Sequence, residues 1–276
     1  KITTSYSGYL FAGNCSKDGI PNADKYIFRS LPKNFSAINW IQDFTILPEV
    51  PTALAGFNGR LYAFSDSNMY RINPFTMSVE DDYAGVGSLN DRTVVATNYG
   101  MFHADSEDIY VNDGRTSQSI GTPIQTVQFG GNAYGWQEIA KTGNGQIASL
   151  TFDADNKRLL AFGNVDATTN ICWAYDIERQ QWQLYTDIDM PAGLTVGTNG
   201  TLYATDGTSL KSLFTSSTRK NWKIVTKDFD LGSDSGDFWA YDLQGYGEGN
   251  FTIKYLKDGS STATDNGTTT TEGLRK

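Results

Sequence analysis

Cysteine and histidine are almost missing from this chain of 276 residues. There are two cysteines, Cys15 and Cys172, and one histidine, His103. A structural zinc centre draws four ligands from Cys and His, so three such residues cannot build one. One long-range disulfide between positions 15 and 172 is conceivable; two free thiols are the expected state. Charge is also sparse. Asp, Glu, Lys and Arg make up 19% of the residues, against a usual quarter. Cations are the rarer sign, with 22 Lys and Arg against 31 Asp and Glu and a net charge of −9. Such a chain repels the phosphate backbone and an anionic membrane surface, which excludes nucleic-acid binding by bulk electrostatics. No apolar run approaches the roughly 18 residues that cross a bilayer. Lys1-Ile2-Thr3-Thr4-Ser5 carries no apolar signal-peptide core. The chain opens without Met, and a processed chain or a segment of a longer one is expected.

Nucleotide and hydrolase motifs are lacking too. Gly143-Asn144-Gly145 is followed by neither the glycine nor the Lys-Ser/Thr of a phosphate loop. No Gly-x-Ser-x-Gly elbow occurs. Gly130-Gly131 and Gly245-Tyr246-Gly247 read as turns.

What the chain has in quantity is glycine, 28 residues, and aromatic side chains, at 13%. These suit short strands and tight turns. Five segments read alike: Gly8-Tyr9-Leu10-Phe11-Ala12-Gly13-Asn14, Gly59-Arg60-Leu61-Tyr62-Ala63-Phe64, Gly100-Met101-Phe102-His103-Ala104, Lys157-Arg158-Leu159-Leu160-Ala161-Phe162-Gly163 and Gly200-Thr201-Leu202-Tyr203-Ala204-Thr205. Their first residues lie 51, 41, 57 and 43 positions apart. Two of these steps fall at the roughly 40–45-residue spacing of propeller blades, and the longer two require loop insertions. An upstream strand precedes the last four segments, beginning near Pro51, Thr93, Gln146 and Gly193. A third strand follows each of the five, near Lys25, Asn68, Asp108, Cys172 and Leu210. A fourth is visible at Gln181-Trp182-Gln183-Leu184-Tyr185 and Asn221-Trp222-Lys223-Ile224-Val225. Asn58-Gly59, Asn199-Gly200 and Asp113-Gly114 supply the positive φ that tight hairpins require. Asp153-Ala154-Asp155-Asn156 takes the same place ahead of Lys157.

The expected fold is therefore all-β, a β-propeller of five or six blades with about four antiparallel strands each. It spans residues 1–232, with an insertion at about 122–144. The first repeat shows no evident first strand before Gly8. Asp237–Leu243 or Phe251–Leu256 are candidates to supply it and close the ring. Residues 233–259 read as ring-closing strands or the start of a further β element. The stretch 260–276 is polar and Thr-rich and reads as a flexible tail.

The chemistry is thin. His103 sits mid-strand without a recognisable partner carboxylate and nucleophile, and reads as structural. The densest acidic runs, Glu80-Asp81-Asp82 and Asp105-Ser106-Glu107-Asp108, read as solvated turns. Calcium binding or a glycosidase carboxylate pair are the sharper alternatives. No catalytic residue, cofactor-binding residue or metal ligand is assigned, and no cofactor is expected. The sequons at Asn14, Asn34, Asn199, Asn250 and Asn266 matter only in a glycosylating compartment. Trp173, Trp182, Trp222 and Trp239 read as packing between blades; Trp136, in the insertion, reads as the surface aromatic.

Two stretches carry a family resemblance. Asp24-Lys25-Tyr26-Ile27-Phe28-Arg29-Ser30-Leu31-Pro32 runs on to Asn34-Phe35-Ser36. Pro51-Thr52-Ala53-Leu54-Ala55-Gly56-Phe57-Asn58-Gly59-Arg60-Leu61-Tyr62-Ala63-Phe64 precedes Met69-Tyr70-Arg71-Ile72. Together they resemble the β-propeller of tail proteins of tailed bacteriophages, the nozzle or tail-tube-associated virion proteins. Tyr99-Gly100-Met101-Phe102 with Asp113-Gly114 is similar. The likeness covers roughly residues 6–125, while Cys172–Tyr185 is similar to a kelch blade. It implies a viral, non-enzymatic structural component of the virion: a tail nozzle, hub or adaptor. Such a part assembles as a homo-oligomeric ring with other tail proteins. An acidic channel lining would then allow passing contact with DNA without specific binding. The rival class is a secreted or cell-surface propeller that binds or hydrolyses a glycan.

Overall fold

The computed structural model describes residues 1–129, 132–141, 148–166, 169–186, 193–196, 201–205, 209–213, 250–255 and 264–270. The chain divides into two compact units, Lys1–Ser216 and Ser217–Lys276. The first unit is a succession of antiparallel sheets, each made of strands consecutive in the chain. Sheet 1 holds β1 (Ile2–Tyr6), β2 (Tyr9–Gly13), β3 (Tyr26–Leu31), β4 (Asn34–Ile38) and β5 (Phe44–Ile46). Sheet 2 is β6 (Ala53–Phe57), β7 (Arg60–Phe64), β8 (Asn68–Ile72) and β9 (Val79–Ala84). Sheet 3 is β10 (Val94–Thr97), β11 (Gly100–Ala104), β12 (Ile109–Asn112) and β13 (Ser117–Ser119). A connection follows with the short hairpin β14 (Gln128–Phe129) and β15 (Asn132–Ala133) and the one-turn helix α1 (Trp136–Ile139). Sheet 4 is β16 (Ser149–Asp153), β17 (Arg158–Asn164), β18 (Asn170–Asp176) and β19 (Gln181–Thr186). Sheet 5 is β20 (Gly193–Val196), β21 (Leu202–Thr205) and β22 (Leu210–Ser212). In the second unit, β23 (Asn250–Tyr255) pairs with β24 (Thr264–Thr270).

The sheets are the blades of a β-propeller. Their first strands lie side by side in chain order: β1 beside β6, β6 beside β10, β10 beside β16 and β16 beside β20. The second strands explain why the apolar segments run without polar alternation. A strand covered on one face alternates apolar and polar, whereas one covered on both faces does not. Along β7, Leu61 and Ala63 pack with Phe11 and Ile27 of sheet 1 and with Leu47, just past the end of β5. The residues between, Tyr62 and Phe64, pack with Met101 of sheet 3. Along β17, Leu159 and Ala161 join Phe102, Ala104 and Ile109 of sheet 3. Leu160 and Phe162 join Leu202 of sheet 5. Sheets 2 and 4 thus each fill the gap between two neighbours, and the fourth strands β9 and β13 remain largely exposed.

Several expectations need correction. The first sheet has its own first strand: Ile2–Tyr6 pairs with β2 in register from Ile2–Gly13 to Tyr6–Tyr9. Ile2 is its one aliphatic residue; the β-branched threonines carry the strand preference. Trp136 is not at the surface. It is fully buried among Phe102, Ile109, Leu159 and Trp173, and its indole N–H donates to the Asp105 carbonyl at 2.8 Å. The connection between sheets 3 and 4 therefore supplies core to both. The run Glu80-Asp81-Asp82 is no turn but part of the outer strand β9. The run of threonines within 264–270, read from composition as tail, forms β24, as β-branched residues favour. Phe251–Tyr255 lies in β23, whose partner is β24. Trp222, Trp239, the Asn199-Gly200 turn, the Asn221–Val225 strand, Asp237–Leu243 and the three glycine pairs at 130, 143 and 245 lie outside the described residues.

Candidate functional site

The turn chemistry that starts the second strands also builds an opening at one end of the first three sheets. In the β6–β7 hairpin, Asn58 and Gly59 have φ of 50° and 79°, the left-handed pair of a two-residue turn. Ser7 and Gly8 do the same between β1 and β2. Asn98 and Tyr99 join β10 to β11. Asp113 and Gly114 join β12 to β13 at the same end. Tyr6, Phe57 and Thr97, the last residues of three successive first strands, thus converge. They enclose an open cavity of about 550 Å³, to which Asn58, Asn98, Tyr99 and Asp113 also contribute.

The walls are tied across sheets. The Gly59 N–H donates to the Tyr6 hydroxyl at 2.6 Å. Asn58 Nδ2 donates to the Asp113 carbonyl at 3.2 Å, and the Tyr62 hydroxyl donates to the Gly114 carbonyl at 2.9 Å. Burial pushes the Tyr62 phenol up to about 12, so it remains a donor at every ordinary pH. The Arg71 guanidinium reaches the same Gly114 carbonyl at 3.4 Å and the Tyr83 hydroxyl at 3.1 Å. It also lies 3.6 Å from Glu80 and 3.5 Å from Asp81. Arg60 Nε donates to Glu80 Oε2 at 2.5 Å, which holds that carboxyl below its ordinary range. Asp113 Oδ1 accepts from the N–H groups of Arg115 and Thr116, each at 2.8 Å. Those bonds lower its carboxyl too. Asp113 is the single carboxylate and carries the single formal charge of the lining, and no Lys or Arg takes part.

His103 lies elsewhere, fully buried between sheets 2 and 3. Its ring stacks on Tyr110 at 5.1 Å and tilts against Phe64 at 5.0 Å. Nδ1 meets the Gly87 carbonyl at 2.8 Å and must therefore carry the hydrogen. Nε2 then accepts from the Ser117 hydroxyl at 3.1 Å, which itself accepts from Asn112 Nδ2 at 2.9 Å. Every ring atom that can act is engaged. Burial pulls the imidazole down to about 4. Ser117 is the one hydroxyl bonded to the ring, but Nδ1 is spent on a backbone carbonyl and no described carboxylate is bonded to the ring, so the triad pattern is not met and the contacts described are packing contacts.

The second acidic run also serves structure. Asp105 Oδ1 accepts from the N–H groups of Glu107 and Asp108 at 2.8 and 2.9 Å. Asp108 accepts from the Ile109 N–H, the Ser119 hydroxyl and Gln125 Nε2 at 2.6–2.7 Å. Among the described residues no three of His, Cys, Asp and Glu gather as a metal site. The first strands carry one acidic residue, Asp153, so they do not form an acidic lining; the densest acidic run lies on the outer strand β9. Both thiols are free, Cys15 half-buried and Cys172 buried. No helix among the described residues is long and apolar enough to cross a membrane.

The opening itself was missed by motif reading. Its signal was the recurrence of aromatic and Asn residues beside the turns: Tyr6-Ser7-Gly8, Phe57-Asn58-Gly59 and Asn98-Tyr99-Gly100.

No protein-family model and no curated protein matches the chain. Among solved structures, the chain is similar to the extracellular domain of BT4673 from B. thetaiotaomicron, at 11% identity and a TM-score of 0.49. That match covers 76% of this chain and 27% of the other. The Pan2 WD40 domain of Neurospora crassa is 9% identical with a TM-score of 0.42, over 74% of this chain and 57% of that one. Hsv2 of Kluyveromyces lactis is 9% identical with a TM-score of 0.39, over 68% and 60%. The chain spans about a quarter of the BT4673 domain and under two thirds of the other two.

Proposed function

We propose that the chain is a non-enzymatic structural component of a tailed-phage virion, a tail nozzle, hub or adaptor that assembles with copies of itself and with other tail proteins. The observation that carries this reading is where the exposed apolar side chains lie. Nine large hydrophobic residues are exposed among those described, and five of them, Leu31, Phe35, Trp40, Ile41 and Ile46, belong to β3, β4, β5 and their connections. Phe75, in the β8–β9 turn, adds to this side through its ring contact with Tyr9. Ile41 is 84% exposed. A monomeric protein rarely leaves such a concentration to water, whereas an assembly subunit covers it. The sequence resemblance over residues 6–125 supplies the phage context.

The test is immunogold electron microscopy with an antibody raised against the chain. Phage particles whose genome encodes the chain should be labelled at the tail. Labelling of cell envelopes, with tails bare, would overturn the assignment in favour of a cell-surface propeller.

A further inference from the structure

We infer that the cavity at the ends of β1, β6 and β10 is a binding site for a neutral oligosaccharide. Three aromatic side chains from three successive sheets line it: Tyr6, Phe57 and Tyr99. Tyr99 is 46% exposed although its ring touches Phe152 at 5.7 Å. An amphipathic ring held at the edge of an opening offers a flat apolar face to the C–H side of a sugar and a hydroxyl to its rim. Between the rings stand the amides of Asn58 and Asn98 and the carboxylate of Asp113. Asp113 Oδ1 is engaged by two backbone N–H groups, and the Thr116 side chain also hydrogen-bonds the carboxylate, which still has acceptor capacity for a ligand hydroxyl. Asn58 Nδ2 is engaged by the Asp113 carbonyl, and its Oδ1 stays available as an acceptor. This mixture of a few polar groups with apolar faces is the composition of a ligand site, and about 550 Å³ lies within the range such sites occupy.

The charge of the lining decides the ligand class. No Lys or Arg is present, and the nearby Arg71 is committed to Glu80, Asp81, Tyr83 and Gly114. A phosphate, sulfate or sialic acid would meet the Asp113 carboxylate, which its hydrogen bonds keep ionised, with nothing to offset it. A neutral sugar has hydroxyls to donate to that carboxylate. The site requires no turnover and does not rest on the tail assignment: it stands or falls whether the tail or the cell envelope is labelled.

The experiment is binding of the purified full chain to an array of neutral, sulfated and sialylated oligosaccharides, repeated with Tyr99→Ala, Tyr99→Phe and Asn98→Ala. Both positions lie in an exposed two-residue turn, and melting curves establish that each variant folds. One or more neutral oligosaccharides should bind. Tyr99→Phe should keep the binding, and Tyr99→Ala should weaken it roughly tenfold. Asn98→Ala should weaken it as well, and decides the matter if Tyr99→Ala does not fold. Absence of neutral binding, preference for the acidic glycans, or equal binding by the folded alanine variants would overturn the inference.

Discussion

The ring of Tyr6 lies over the backbone of Gly56, in the next sheet. A Cβ placed on Gly56 would fall 2.1 Å from the Tyr6 ring and 2.7 Å from its Cβ. The ring cannot swing aside, because its hydroxyl accepts the Gly59 N–H. One tyrosine thus fixes how closely the first two first strands approach. Gly56→Ala should lower stability by about 2–3 kcal/mol, as overpacking does. Tyr6→Phe keeps the ring and should cost about 1 kcal/mol. Urea unfolding of the three proteins gives the order, and a Gly56→Ala variant as stable as the parent would show that the two sheets are not so tightly seated.

His103 makes the fold sensitive to acid. The imidazole is neutral in the folded protein, pulled down to about 4, and has an ordinary value near 6.5 when unfolded. Between these values the unfolded chain binds the proton and the folded one does not, so stability falls as pH falls through that window. The loss can reach about 3 kcal/mol by pH 4. Melting temperatures from pH 7 to pH 4 should drop more steeply for the parent than for His103→Gln. Parallel pH profiles would contradict the buried neutral ring.

Arg71 gathers four partners from two sheets, and its planar fork is suited to that in a way an ammonium is not. The site is partly exposed, so its charge pairs are screened and contribute modestly. Arg71→Ala should cost about 1–2 kcal/mol, mostly through the Gly114 and Tyr83 hydrogen bonds. Arg71→Lys should recover less than half. Full recovery by lysine in a urea titration would mean that charge alone matters there.

Asp105 and Asp108 use their oxygens on backbone and side-chain donors. Adding a chelator should therefore leave the melting temperature where it was. Asp108→Ala, by contrast, strands the Ile109 N–H and Gln125 and should cost about 2–3 kcal/mol. A chelator-sensitive melting curve would point to a cation held by these carboxylates.

Cys172 is buried between sheets 4 and 5, and burial raises its thiol well above the usual range. A thiol reagent at pH 8 should modify Cys15 in the native protein and reach Cys172 after denaturation. Rapid modification of both in the native state would show that sheets 4 and 5 separate readily.

The blades were legible because their second strands are apolar on both faces. Leu61–Phe64 and Leu159–Phe162 cannot be amphipathic when a sheet lies on either side. The outer strand β19 was legible from its alternating Gln181–Tyr185, but β9 was not, for the opposite reason. β9 reads Val-Glu-Asp-Asp-Tyr-Ala, and its pairing with β8 comes from backbone bonds and from Arg60 and Arg71, distant in sequence. β1 escaped notice because its threonines and serine look like turn residues. Trp136 misled because burial is decided by which sheets its connection passes between, and sequence does not record that. The cavity was illegible as a motif, since its rings come from three separate turns.

The serial adjacency of the first strands bears on how the molecule is made. Among the described residues, each sheet after the first packs against the one that precedes it in the chain. Assembly can follow synthesis residue by residue, each blade folding onto a surface already finished by the time it leaves the ribosome.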